Sequence, residues 1–374
     1  MPDKHAVLSA SSSARWIECP PSALLCKEIN DIPSEYAMQG TDAHSLSEYK
    51  LRKILGEKVK NPKNDLDYYD EEMEESSEEY ASYVACQYEE AKNLCKDPVI
   101  LIEQHLDFSK WVPDGFGTGD CIIVSDERLT VIDLKYGLGI LVDANNNSQM
   151  MCYALGALAI FDGIYDINEI TMTIFQPRRE HISTYTISKE KLLFWAEKTL
   201  MPQAKLAANG EGEFKAGSHC QFCKVKATCR KRAEYNLLLA KYDFKVPENL
   251  EDDEIEIILE KVDELVSWAG DIKEYALKKA VEGKKWNDWK VVEGRATRKY
   301  IDEKKVAEKV EEAGFDPYEK KVLGITAMTK LLGKTRFERL LSELVKKPQG
   351  KPTLVKRTDK RLELNSAKED FMEE

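Results

Sequence analysis

The chain has 374 residues, 43% of them hydrophobic, and a formal net charge of −12. That is enough for a sizeable core in one large domain with an extension, or in two domains. Bulk electrostatic binding of a polyanion is excluded, so any nucleic-acid surface has to be a local basic patch. Met-Pro-Asp-Lys-His lacks the charged-then-apolar pattern of a secretory signal, and the longest apolar run, Cys152 to Phe161, is too short for a bilayer span. Nine cysteines at irregular spacing argue for reduced thiols rather than a disulfide framework. A soluble, cytoplasmic protein without a membrane partner is expected.

In chain order, the serines before Trp16 mark a helix start, and Cys19-Pro20 breaks that helix ahead of a second short one. Residues 36–56 read as an amphipathic helix on which His44 and Glu48 share a face. An imidazole there is an acceptable Mn²⁺ ligand. Asp65 to Glu79 holds nine acids and no Lys or Arg, which reads as a solvated lead-in or loop, with a helix from Tyr80 to Lys96. Val99-Ile-Leu-Ile is then a buried strand that abruptly offers Glu103. His105 and Asp107 share the face of Glu103, so periodicity does not choose between them.

The most informative stretch is Phe116 to Tyr136. Two β-rich runs flank Ser125-Asp-Glu-Arg, the pattern of a hairpin. With the turn centred between Asp126 and Glu127, Asp120 faces Asp133, with Cβ atoms roughly 4.5–5.5 Å apart. Lys135, two residues on, shares the face of Asp133. Two carboxylates this close repel each other unless a cation lies between them. Hard oxygen donors suit Mg²⁺ or Mn²⁺, which would polarise a phosphoryl oxygen and lower the pKa of a bound water. Lys135 is placed to offset charge in the transition state.

Asn145-Asn-Asn-Ser148 is an N-cap cluster for a helix from Gln149 to Phe161, with Gln149 and Tyr153 one turn apart. Residues 169–187 alternate as a second hairpin around Pro177-Arg178-Arg179, whose guanidiniums are candidate phosphate contacts, and Lys189 to Ala208 is a long helix. His219-Cys220-x₂-Cys223-x₅-Cys229 is a metal-ligand spacing that needs a fourth donor. His219 in that place points to zinc, and Cys19 to an all-cysteine site for an iron–sulfur cluster or zinc.

Residues 237–280 carry Ile, Leu and Val at helical spacing, a helical hairpin. Trp286 to Arg295 reads as a strand pair, and Asp302 to Gly314 and Ile325 to Val345 as helices. Lys346 to Arg361 holds seven Lys or Arg against Asp359, a flexible basic arm suited to phosphate contact.

The order Gly40-x₃-His44, Glu103, Gly117-x-Gly-Asp120, Asp133-x-Lys135 and Gln149-x₃-Tyr153 resembles the PD-(D/E)XK nuclease superfamily, specifically its RecB-like exonuclease branch. One cysteine ahead of that core and three after it are similar to the iron–sulfur nucleases of the branch, the AddB type, and the chain has the style of a phage or prophage member. The resemblance spans residues 13–235. It implies an α/β fold, a restriction-endonuclease-like mixed central sheet flanked by helices, with an iron–sulfur staple and a mostly helical extension over 236–374. It also implies a metal-dependent DNA exonuclease in recombination and repair. His44, Asp120, Asp133 and the Ile132 carbonyl would bind Mg²⁺ or Mn²⁺, Lys135 would be the catalytic lysine, and Glu103 a further acid. Gln149, Tyr153, Arg178 and Arg179 would contact DNA. Cys19, Cys220, Cys223 and Cys229 would hold a [4Fe–4S] cluster, with Zn²⁺ the alternative. DNA ends, single- or double-stranded, are the implied substrate, and a phage single-strand-binding or annealing protein or a helicase the implied partner. Asp133 stands where the family commonly has Glu.

Overall fold

Apolar strands that alternate toward both sides at once need helices on both faces, and that demand sets this architecture. The computed structural model describes residues 6–29, 34–238, 250–294, 300–318 and 322–346. Two compact units divide the chain, Met1–Val291 and Val292–Glu374. The first is mixed α/β. Its sheet has five strands in the order β1-β2-β3-β4-β5, namely Val99–Asp107, Phe116–Val124, Glu127–Leu134, Ile167–Gln176 and His181–Ser188. Neighbours are antiparallel except β3 and β4, which run parallel.

Seven helices precede or follow these strands as far as residue 209: α1 (Ser13–Glu18), α2 (Ser22–Lys27), α3 (Glu35–Ile54), α4 (Glu71–Leu94), α5 (Ser148–Phe161), α6 (Lys189–Trp195) and α7 (Met201–Asn209). A π-helical turn, Ala196–Leu200, joins the last two. One cluster packs Ile122, Val124, Leu129 and Val131 against α5 and the α6–α7 helix. The other packs Cys121, Ile123, Ile132 and Leu134 against Leu51 of α3 and Tyr80, Ala81 and Val84 of α4. Gly156 is where α5 comes closest to β1: a Cβ there would lie 2.8 Å from Leu106 Cβ.

The β2–β3 hairpin has the expected register, Cys121 opposite Ile132 and Val124 opposite Leu129. Helix α4 begins nine residues ahead of Tyr80, because Asp70 caps it by accepting from Met73 N and acids in a first turn complement the helix dipole. The acids from Glu71 on are thus helix, while Asp65, Asp67 and Asp70 stand ahead of it as a lead-in. Arg15 ties the Cys19-Pro20-Pro21 break together by donating to the carbonyl and hydroxyl of Ser22.

Among the described residues three helices complete the unit: α8 (Arg230–Leu237), α9 (Asp252–Leu259) and α10 (Val262–Val281). Buried Arg232 pairs with Glu264 and Asp271, which holds α10 to α8. That contact carries the unit boundary past 235, the point where the motif-bearing sequence ends. No strand forms among the described residues of 286–295, correcting the expected strand pair: Trp289 is 82% exposed and Trp286 Nε1 donates to the Ala276 carbonyl of α10. With neither indole supplying a buried face, nothing there supports a ladder. The second unit is helical, with α11 (Glu303–Glu312), α12 (Ile325–Leu332) and α13 (Lys334–Leu341). Gly333, at φ +74°, splits what reads in sequence as one helix. The basic arm after residue 346 lies outside the described residues. No described helix is long and apolar enough to cross a membrane.

Candidate functional site

The site begins with a break in strand alternation. Val99 and Leu101 pack on the first core cluster and Ile100 and Ile102 on the second, but further along β1 it is Leu106 that belongs to the first. The inversion falls at Glu103, whose φ is +51°. A left-handed non-glycine residue inside a strand is strained and persists only when its surroundings over-determine it. Strand β2 shifts in step. Ile122 and Val124 face the first cluster, and so do the open sides of Gly117 and Gly119, which look onto Tyr153 and Leu106. Glu103 and Asp120 therefore both turn toward α3.

There they meet His44. Its Nδ1 is 3.3 Å from Asp120 Oδ1 and 3.9 Å from Glu103 Oε1. Among the described residues, these three are the group whose ligand atoms all lie within 4.8 Å of one another. The β2–β3 ladder ends at Cys121 and Ile132, and Asp120 Oδ2 fills the gap by accepting the Leu134 N–H at 2.7 Å. That bond aims the carboxylate between the strands.

Asp133, buried, is on the α5 side, so the expected face-to-face pairing of Asp120 with Asp133 is not made: the ladder ends one residue short of it. Its Oδ2 is 2.7 Å from Lys135 Nζ, and its Oδ1 accepts from Gln149 Nε2 at 3.3 Å. Gln149 also donates to the Tyr153 hydroxyl at 3.2 Å. Asn147 caps α5 by accepting from Gln149 N and Met150 N, so the amide is carried on a held first turn.

Electrostatics follow from this crowding. Burial pulls the His44 pKa down, but the Asp120 charge and hydrogen bond and the Asp133 charge outweigh it and raise it to about 9. Burial and the Asp120 charge push Glu103 up to about 7. Asp120 goes the other way: burial would raise it, and His44, Lys135 and the Leu134 N–H hold it below the usual carboxylate range. Lys135 stays charged, since Asp133 and Asp120 overcome its desolvation. Two oxygen donors and an imidazole are a donor set that suits Mg²⁺ or Mn²⁺ once His44 and Glu103 give up their protons.

A cleft of about 830 Å³ opens beside His44 and Glu103, walled by residues that include Gly40, Thr41, His105, Phe116, Gly117 and Tyr153. His105 and Phe116 are stacked on its wall, centroids 5.3 Å apart.

Other expected contacts fall differently. Ile132 is a ladder residue between Cys121 and Thr173 with its side chain in the core, which leaves only its carbonyl for the role expected of it. Arg178 pairs with Glu72 at 2.8 Å and lies over the Tyr136 ring, and Arg179 donates to the Leu138 carbonyl. Both guanidiniums brace the strand ends.

Cys19, Cys220, Cys223 and Cys229 line one small cavity. Among the described residues no three thiols come within 4.8 Å of each other, a wider ring than a single zinc with Zn–S bonds of about 2.3 Å draws together. His219 gives its Nε2 to the Lys215 carbonyl at 2.8 Å. Cys26, which stands outside the cysteine spacing, comes within 3.8 Å of Cys223, sulfur to sulfur. No sequence signal marks it, because α2 brings it there only once the Pro20-Pro21 turn is made.

A solved protein described as SSO0001 aligns over 50% of this chain and 95% of its own at 14% identity, with a TM-score of 0.22, too low to carry an argument. The family described as protein of unknown function (DUF2800) matches residues 5–362. The chain belongs to that family.

Proposed function

We propose that this chain is a metal-dependent DNA nuclease of the PD-(D/E)XK type, RecB-like, hydrolysing phosphodiester bonds at DNA ends as an exonuclease in phage-type recombination or repair. The observation that carries the reading is the meeting of His44, Glu103 and Asp120 beside the Asp133–Lys135 pair at one end of the sheet.

His44, Glu103 and Asp120 would hold the divalent cation, with Asp133 alongside. Bound there, the ion would supply Lewis acidity and a water of lowered pKa. The chain's own groups do the rest. Asp133 fixes the Lys135 ammonium, a half-buried cation suited to developing charge on a phosphoryl group. Gln149 and Tyr153 present an amide and a phenol for the sugar-phosphate chain. The cleft is the size of a drug-like ligand, roughly 300–1,000 Å³, which accepts a few unpaired nucleotides rather than a duplex. The His105–Phe116 pair offers a base a stacking face. The four cysteines around one cavity would hold an iron–sulfur cluster tying the α1–α2 turn to the segment before α8. The wide thiol spacing supports that choice over a single zinc ion.

The test is cleavage of end-labelled linear and circular DNA with Mg²⁺ and with Mn²⁺. Loss of label from linear DNA, abolished in Asp133→Ala and strongly reduced in Lys135→Ala, is expected. Undiminished cleavage in both variants removes the reading, and salt-dependent binding without any cleavage points to a non-catalytic DNA-binding module.

A further inference from the structure

We propose that Arg232 hydrogen-bonds, through its free Nη2–H group, an anionic metal–thiolate centre held by Cys19, Cys220, Cys223 and Cys229, so that helix α10 becomes part of that centre's support. The inference rests on the reading that those thiols hold metal.

Arg232 is fully buried and stands one helical turn after Cys229, the N-cap residue of α8, on the wall of the cysteine cavity. Its Nε is 2.6 Å from Glu264 Oε1, and its Nη1 is 2.5 Å from Asp271 Oδ2 and donates to the Lys226 carbonyl at 3.3 Å. Its Nη2 has no hydrogen-bond partner among the described residues. A guanidinium is a rigid planar fork, so two contacts from α10 set the direction of the third nitrogen. A buried donor left without an acceptor is costly and rare. Four thiol sulfurs share its cavity, beside Ser22 and His219.

Metal binding completes the arrangement. Thiols bind metal as thiolates, and a centre with four of them carries negative charge into a buried place. A cationic donor turned to the same cavity offsets that charge and fixes a sulfur lone pair. The Glu264 and Asp271 contacts hold the guanidinium still, as carboxylates hold a ligating imidazole elsewhere. Arg232 is thus a positioning residue, acting through sulfur.

For the test, wild-type, Arg232→Met and Arg232→Lys chains are purified anaerobically. They are loaded with Fe²⁺ and sulfide, or in a parallel arm with Zn²⁺, and metal release to a chelator is timed. Both variants are expected to release metal roughly 10–100-fold faster than wild type. Release at the wild-type rate from whichever variant folds overturns the role of Arg232 while leaving the metal centre standing. A wild-type chain that takes up neither metal sinks the centre and the inference with it. If neither variant folds, wild type labelled with ¹⁵N-arginine decides. Zn²⁺ should slow exchange of one guanidinium proton set, and unchanged exchange refutes the hydrogen bond.

Discussion

Asp120 joins three elements through two oxygens: Oδ1 is 3.3 Å from His44 Nδ1 on α3, while Oδ2 accepts the Leu134 N–H of β3. The backbone bond fixes the carboxylate, and the carboxylate fixes the imidazole. On the proposed metal-binding reading, removing Asp120 takes away one ligand and lets a second, His44, turn.

Nuclease activity is the direct readout. Asp120→Ala and Asp133→Ala are expected to abolish metal-dependent cleavage, and Lys135→Ala to lower it by roughly 10²–10³-fold. Far-ultraviolet circular dichroism should stay unchanged. Lys135→Ala cleaving at the wild-type rate would show that the ammonium is only a partner for Asp133.

Metal uptake should depend on pH with a definite sign. Without metal, Glu103 holds its proton up to about pH 7 and His44 up to about pH 9, and both must lose it to ligate. Mn²⁺ affinity is expected to rise with pH through both values, with proton release seen by calorimetry in buffers of different ionisation enthalpy. Stability of the metal-free chain should run the opposite way. Both pKa values are raised on folding, so both groups favour the folded state while protonated, and that contribution fades as pH rises from about 4.5 toward 9. A melting temperature that climbs over that range without metal contradicts the assignment.

The stacked pair on the cleft wall predicts a base contact. With Ca²⁺ in place of the catalytic ion, His105→Ala together with Phe116→Ala should weaken binding of a short single strand by about 1–3 kcal/mol per stacked base. Duplex binding should change less. Equal loss for both substrates counts against stacking.

Cys26 and Cys223 are near enough to link. Their hydrogen bond lowers the Cys26 thiol to about 6, which favours the thiolate that attacks in disulfide formation. Mild oxidation of metal-stripped protein is expected to yield the Cys26–Cys223 disulfide by peptide mapping, and metal loading to suppress it. A different pairing would mean that the stripped cavity rearranges.

Packing gives one stability prediction away from the chemistry. Gly156→Ala drives a methyl to 2.8 Å from Leu106 Cβ and 3.3 Å from its carbonyl carbon. A loss of about 1–3 kcal/mol in denaturant unfolding is expected. Backbone cannot move aside as a flexible side-chain tip can.

The sequence by itself determined the hairpin register, an N-cap ahead of α5 and the helix–strand order through residue 209. These are local or strongly periodic: alternation, turn chemistry and capping act over a few residues and leave their period in the chain. Tertiary structure decided the rest. Alternation along β1 puts Glu103, His105 and Asp107 on one face, and only the left-handed Glu103 between two packed clusters sends its carboxylate to His44. Arg178 and Arg179 look like free charges until Glu72 and the Leu138 carbonyl arrive from elsewhere. The approach of Cys26 to Cys223 and the hold of Glu264 and Asp271 on Arg232 join distant parts of the chain, and such partners leave no period to read.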